Sequence, residues 1–268
     1  QCSIMMGTDA NKDILKNTGL LTEEGSSASP SDMVIVLETE DESVVPTVLV
    51  KIDQFLSDLS VKKELSKGAE ASSLEEALEL LPDANVALFS IPGEYAADVI
   101  EQALDKNLNI FSFTDNVSLD DEVRLKKIAH DKGLLLMGPD CGTGILSGIP
   151  FAFANVVRTG NIGIVGASGT GIQEVSTLID RMGGGVVHAI GTGGRDLSDA
   201  VQAVTAKDAL IALENYSPAD VLVLISKPPA KTVRDEIVNL LQNLSKPVVA
   251  IFLGECPDRH INNVYLAH

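Results

Sequence analysis

The sequence contains no tryptophan, and aromatic residues make up only 4% of its 268 positions. Large rings are therefore not what fills the interior. Hydrophobic residues reach 45%, so Ala, Val, Ile and Leu must do so, which suits helices laid on a buried parallel sheet. Cysteine is scarce too: Cys2, Cys141 and Cys256 stand far apart, with no C-x-x-C pair. This excludes a disulfide framework and a thiolate zinc site, and points to a reducing cytoplasm. Basic residues number 20 against 38 acidic ones, for a formal net charge of −18. Nucleic acids and anionic membranes are thereby excluded as partners, because phosphate backbones need clustered cations. A small anionic substrate would have to be gripped locally, by backbone N–H groups and a few Lys or Arg. No apolar run approaches the roughly 18 residues of a membrane span, and the first residues do not read as a signal peptide.

What is present is an alternation of short apolar runs and amphipathic stretches. Residues 85–91, 108–113, 134–138, 186–191, 221–226 and 247–254 read as strands, and 93–107, 120–133, 170–182 and 229–243 as helices. Strands and helices in strict turn predict an α/β protein with mainly parallel sheets and helices on both faces. The length exceeds what one core usually serves. The break around GPDCGTGILSGIP predicts two three-layer domains, residues 1–150 and 151–268. Both ends, QCSIMM and VYLAH, read as strands, so the chain is expected to be a fragment of a longer folded unit.

Glycine is concentrated where strands end, which is where parallel α/β sheets bind ligands. GASGTG (166–171) gives the spacing G-x-x-G-x-G, not the G-x-G-x-x-G of a dinucleotide fold, and the next strand ends in Ala189-Ile190-Gly191 without a ribose-binding acid. No GK[ST] follows either, so a P-loop is disfavoured as well. What remains is a nest of amides from Ser168, Gly169, Thr170 and Gly171 at a helix start, suited to one phosphate. The bland alternative is a tight turn whose serine caps the helix. A second loop, GTGGRD (191–196), adds Gly193, Gly194 and the donor fork of Arg195, which could instead pair with Asp196 or Asp199. Lys227, in SKPPAK, closes another strand. Cys141 in GPDCG lacks a nearby His partner and reads as a small residue buried at a domain junction. The histidines His130, His188, His260 and His268 show no metal-ligand spacing, and no metal is expected.

The stretches TDNVSLDDEVRLKKIAHDKGLLLMGPDCGTGIL, GNIGIVGASGTGIQEV, HAIGTGGRDLSD and LISKPPAK closely resemble the FdrA family. FdrA proteins are in turn similar to the α subunit of succinyl-CoA synthetase. That resemblance implies a Rossmann-like CoA-binding-type domain followed by a flavodoxin-like ligase domain, with this chain as the N-terminal half. It implies that Ser168–Gly171 hold a phosphate, and that GPDCG with Cys141, FTDN with Asn116, and IPGEYAAD line a CoA groove. The phosphorylated histidine of the synthetases sits in a G-H-A-G motif, whereas ECPDRHINNVYLAH offers only His260 without that context. Lys227 falls where the synthetases carry a glutamate.

The family resemblance thus implies a subunit of oxamate carbamoyltransferase in anaerobic allantoin catabolism, converting oxalurate and phosphate into oxamate and carbamoyl phosphate. Arg195 and Lys227 would offset substrate charge, and other subunits of a hetero-oligomer would be partners. An acyl-CoA synthetase that binds CoA, and a non-catalytic scaffold, are the alternatives.

Overall fold

The computed structural model describes residues 2–6, 8–29, 32–39, 41–54, 71–255, 260 and 262–267. Cys256, His268 and residues 67–70 of the polar stretch KGAEASS (67–73) lie outside the described residues. Contacts divide the chain into two units, Gln1–Ser72 and Ser73–His268.

In the first unit, β1 (Cys2–Met6) pairs antiparallel with β2 (Met33–Leu37), Ile4 opposite Ile35. Between them run α1 (Asp9–Asn17) and the short α2 (Glu23–Ser27). TEEGSSASPSD (22–32) is rich in turn-forming Ser, Gly, Pro and Asp, as a connector is. A turn of helix forms there because Thr22 accepts the Gly25 N–H at 3.1 Å and Glu23 and Glu24 favour the helix N-terminus. Residues 45–54 are helical (α3), and Leu15 and Ile52 are buried.

The second unit holds two sheets. A short parallel sheet has the order β3 (Val86–Phe89), β4 (Asn109–Ser112), β5 (Leu136–Met137). Its helices are α4 (Leu74–Leu80), α5 (Gly93–Asp105) and α6 (Leu119–Asp131). Ile100, Leu104, Ile110, Leu125 and Leu136 form the core between this sheet and α5 and α6. The larger, seven-stranded sheet comprises β6 (Thr143–Leu146), β7 (Ile149–Ala152), β8 (Ile162–Gly166), β9 (Val186–Gly191), β10 (Val221–Ser226), β11 (Val248–Phe252) and β12 (Val264–Ala267). Its order is β12-β11-β10-β8-β9-β6-β7. Strands β8 to β12 are parallel, and the β6–β7 hairpin is antiparallel to its neighbours.

Successive residues along the central strands serve opposite faces, as the two-residue period of a strand requires. Ile164, Val223 and Ile225 join Ile172 of α7 (Gly169–Arg181), whereas Val165, Leu222 and Leu224 join α8 (Val204–Asn215) and α9 (Lys231–Gln242). Burial on both faces explains why these strands read as continuous apolar runs.

The sequence places a boundary at residue 150, whereas the contacts divide the chain after Ser72. Residues 143–152, around the break expected at GPDCGTGILSGIP, form the β6–β7 hairpin, and Ile145 of β6 pairs with Ala189 of β9, tying this stretch into the larger sheet. Among the described residues, no helix is long and apolar enough to cross a membrane.

Candidate functional site

Strand β8 lies between β9 and β10, so the chain leaves it in opposite directions: through α7 to β9 on one side, while β10 lies on the other. Such a reversal opens a crevice beyond the carboxyl ends of the strands. A cleft of about 640 Å³ lies there. Its walls include Gly166–Thr170 after β8, Gly191, Gly193 and Gly194 after β9, and Lys227 after β10. Ile91, Pro92, Phe113, Thr114 and Asp115 from the ends of β3 and β4 complete it, with Asp140–Thr143, Phe153 and Gln173.

Helix α7 begins in this cleft. Ser168 is its N-cap, and its Oγ accepts the Gly171 N–H at 3.2 Å. The first amides of a helix have no partner within it, so with Gly171 satisfied, the N–H groups of Gly169 and Thr170 are left to a ligand or water. The serine therefore acts as a cap and the two following amides form the donor pair. Gly171 must be glycine for packing: a Cβ there would lie 2.8 Å from Ile225 Cγ2. Gly193 has φ +86°, and a side chain would strike Pro139 O, so the β9 loop closes directly on the GPDCG turn.

Lys227 is exposed and lines the cleft, and a Cβ on Gly194 would lie 3.0 Å from its Nζ. Among the described residues no carboxylate lies within ion-pair distance of it. The cleft also carries two carboxylates, Asp115 and Asp140.

Arg195, expected to face the ligand, does not line the cleft. Its Nε lies 2.7 Å from Glu122 Oε2 and its Nη2 donates to Val117 O at 2.9 Å. The pairing is with a residue on α6, not with Asp196 or Asp199 as local spacing suggests. The reason is charge balance. Lys126 is buried and reaches Glu122 Oε1 at 3.0 Å, Asp196 Oδ1 at 2.7 Å and Thr192 O at 2.9 Å. One buried ammonium between two buried carboxylates leaves an excess negative charge, and Arg195 offsets it. Asp196 in turn accepts the Ala206 N–H at 2.9 Å, capping α8.

Asn116 is likewise not on the cleft wall; it is exposed, with φ +56°, and Thr114 and Asp115 stand there instead. Cys141 does line the cleft, but its thiol is buried and directed at Gly191 O (3.4 Å) and Thr143 O (3.6 Å). Burial pushes its pKa up to about 12, so no thiolate nucleophile forms at neutral pH.

His130 is exposed beside Asp208, His188 is partly buried against Tyr216, and His260 is exposed beside Tyr265. None of these three lines the cleft.

Sequence reasoning misses Gln173, Thr143 and Phe153. The first sits within an ordinary amphipathic helix and the others at the open ends of a hairpin, away from its Ser147-Gly148 turn. Asp140 belongs to GPDCG, a strand-end turn already singled out in the sequence.

The architecture defines an α/β protein with a CoA-binding-type domain: residues 157–254 match the CoA binding domain model, and residues 1–73 match the model described as AllF, heavy metal-associated domain. The sequence reading places a CoA-binding-type domain at 1–150, whereas the matched stretch is the later one, spanning β8 to β11. Residues 1–73 hold one cysteine and no histidine, so they do not supply a thiolate–imidazole metal site.

Among individual proteins, the chain is 44% identical over 259 residues to "Uncharacterized protein YahF" of Escherichia coli strain K12, covering 96% of this chain and 50% of that protein. It is 27% identical over 179 residues to the succinate–CoA ligase (ADP-forming) subunit alpha 2 of Archaeoglobus fulgidus, covering 64% of this chain and 60% of that subunit. The chain therefore spans about half the length of the curated relatives it matches. In fold it is similar to the ATP citrate lyase of Methanothrix soehngenii solved with citrate and coenzyme A, with a TM-score of 0.59, 18% identity, and coverage of 69% of this chain and 32% of that one. It is also similar to the dinucleotide-forming acetyl-coenzyme A synthetase 1 of Ca. Korarchaeum cryptofilum, with a TM-score of 0.51, 19% identity, and coverage of 65% and 39%.

Proposed function

We propose that the cleft holds the phosphoryl group of a small acyl or carbamoyl phosphate, and that the chain belongs to an FdrA-type carbamoyltransferase acting on oxalurate, phosphate, oxamate and carbamoyl phosphate in allantoin breakdown. One observation carries this reading: the donor amides of Gly169 and Thr170 and the ammonium of Lys227, which has no carboxylate partner among the described residues, line one cleft at the sheet's reversal point. Backbone donors fixed at a helix start stabilise phosphate charge without reorganising. In this reaction a phosphate oxygen bonds to the carbamoyl carbon, the C–N bond to oxamate breaks, and the departing nitrogen takes a proton. Lys227 offsets the charge of the bound anions, and Arg195, held by Glu122, has no part in it. The rest of the longer protein and its partner subunits supply the remaining groups.

A second reading, a CoA-binding ligase-type subunit, is favoured by the CoA binding domain match and by the apolar wall of Ile91, Pro92, Phe113 and Phe153. The cleft's charge fits one phosphate better than the several of CoA, since among the described residues its walls hold one cation against two carboxylates.

Calorimetric titration of the protein with phosphate, carbamoyl phosphate and CoA tests the choice. Phosphate and carbamoyl phosphate are expected to bind, and Lys227→Glu to weaken both about tenfold or more, as expected for loss of a charge-assisted contact. CoA binding without any response to phosphate would overturn the proposal in favour of the second reading.

A further inference from the structure

Gln173 follows Gly169 by four residues on α7, so its side chain stands one turn above the donor amides on the same helix face. It lines the cleft, and its Nε2 donates to Thr143 Oγ1 at 3.0 Å. Thr143 is buried, and its Oγ1 lies 3.2 Å from where a Cβ on Gly169 would be. One buried hydroxyl therefore both abuts the first residue of the amide nest and fixes the orientation of the Gln173 carboxamide. The backbone at this point is also held, since Asn155 Nδ2 donates to Gln173 O at 3.2 Å. With Nε2 engaged, the Oε1 oxygen has no donor among the described residues and remains an acceptor in the cleft wall.

We infer that Gln173 is a specificity-determining residue that accepts a hydrogen bond from an –NH2 group borne next to the bound phosphoryl, selecting a carbamoyl over an acyl phosphate. The inference rests on the phosphate reading above. Carbamoyl and acetyl phosphate differ by –NH2 against –CH3 at one position. A methyl group there strips water from Oε1 and returns no hydrogen bond, a form of rejection stronger than size alone gives.

The test is a set of titrations of the whole protein with inorganic phosphate, carbamoyl phosphate and acetyl phosphate, in the wild type, Gln173→Leu and Thr143→Val. The wild type is expected to prefer carbamoyl over acetyl phosphate by about tenfold, the scale of one hydrogen bond to an acceptor that gives up its water on binding. In Gln173→Leu the ratio should fall to about one while affinity for inorganic phosphate changes by less than about twofold. Thr143→Val, which frees the carboxamide to rotate, should lower the ratio part-way. A preference that survives in Gln173→Leu, or its absence from the wild type, overturns the inference while leaving the phosphate site intact. Failure of inorganic phosphate to bind the wild type overturns the phosphate reading itself.

Discussion

Lys126 Nζ lies 2.7 Å from Asp196 Oδ1, and neither side chain reaches solvent. This pair joins α6, beside the small sheet, to the loop that follows β9 in the large one. It is the polar counterpart of the apolar contact that Phe111 and Met137 make with the α8 core. Because Thr192 O is also held by Lys126, the loop that carries Gly193 and Gly194 to the cleft is positioned from α6.

Lys126→Met should therefore be far more costly than a surface change. It leaves Asp196 and Glu122 buried with only Arg195 to offset them, and removing one partner of a buried pair costs about 3–5 kcal/mol. The double variant Lys126→Met with Asp196→Asn removes one of the stranded charges and should recover part of that loss. Denaturant unfolding followed by circular dichroism would measure both. Equal stability of Lys126→Met and the wild type would contradict the pairing.

Cys141 should resist alkylation in the folded protein. Its thiol is buried and its pKa stands at about 12, because burial penalises the thiolate. At mildly alkaline pH an ordinary exposed cysteine, with a pKa of about 8.5, reacts readily. Peptide mapping after iodoacetamide treatment should find Cys141 unmodified in native conditions and modified in denaturant. Rapid native labelling at this peptide would rule out the buried geometry.

His188 should make stability depend on pH in one direction. Burial lowers its pKa below 6.5, and its Nδ1 accepts the Ser147 N–H at 3.2 Å, which requires the unprotonated nitrogen. The unfolded chain takes up a proton near pH 6.5 while the folded chain still refuses it. Between the two values the unfolded state binds more protons, so stability falls as pH falls. The contribution is complete above the unfolded pKa and is lost as pH drops through the folded one. Between about pH 7.5 and about 5.5 the wild-type unfolding midpoint should decline more steeply than that of His188→Gln. Parallel declines would show that this histidine is not the source.

The helices and strands of the second unit are legible in the sequence because their burial imposes a period. Residues 186–191 and 221–226 are strands at the boundaries read from the apolar pattern, and GASGTG opens a helix as its glycines and serine suggest. The β6–β7 hairpin is not legible, because Thr143–Leu146 is short, contains a glycine and mixes with turn residues. Its existence depends on pairing with β9, more than forty residues away in sequence by about the span from Ile145 to Ala189. The same holds for Arg195. Its neighbours in sequence offer carboxylates, but the one it meets belongs to α6, and only the buried excess charge of Glu122 and Asp196 explains the choice.

The sequence by itself determined the α/β class, the scarcity of soft metal ligands in residues 1–73, and the donor loops at strand ends. These follow from local pattern and composition, which need no knowledge of what lies opposite. The tertiary structure alone decided which donors share a cleft. It set Lys227 over Gly194, paired Arg195 with α6, buried the Cys141 thiol, and placed Gln173 against Thr143. Those outcomes depend on contacts between distant segments and on the balance of buried charge, and neither is encoded at any one position of the chain.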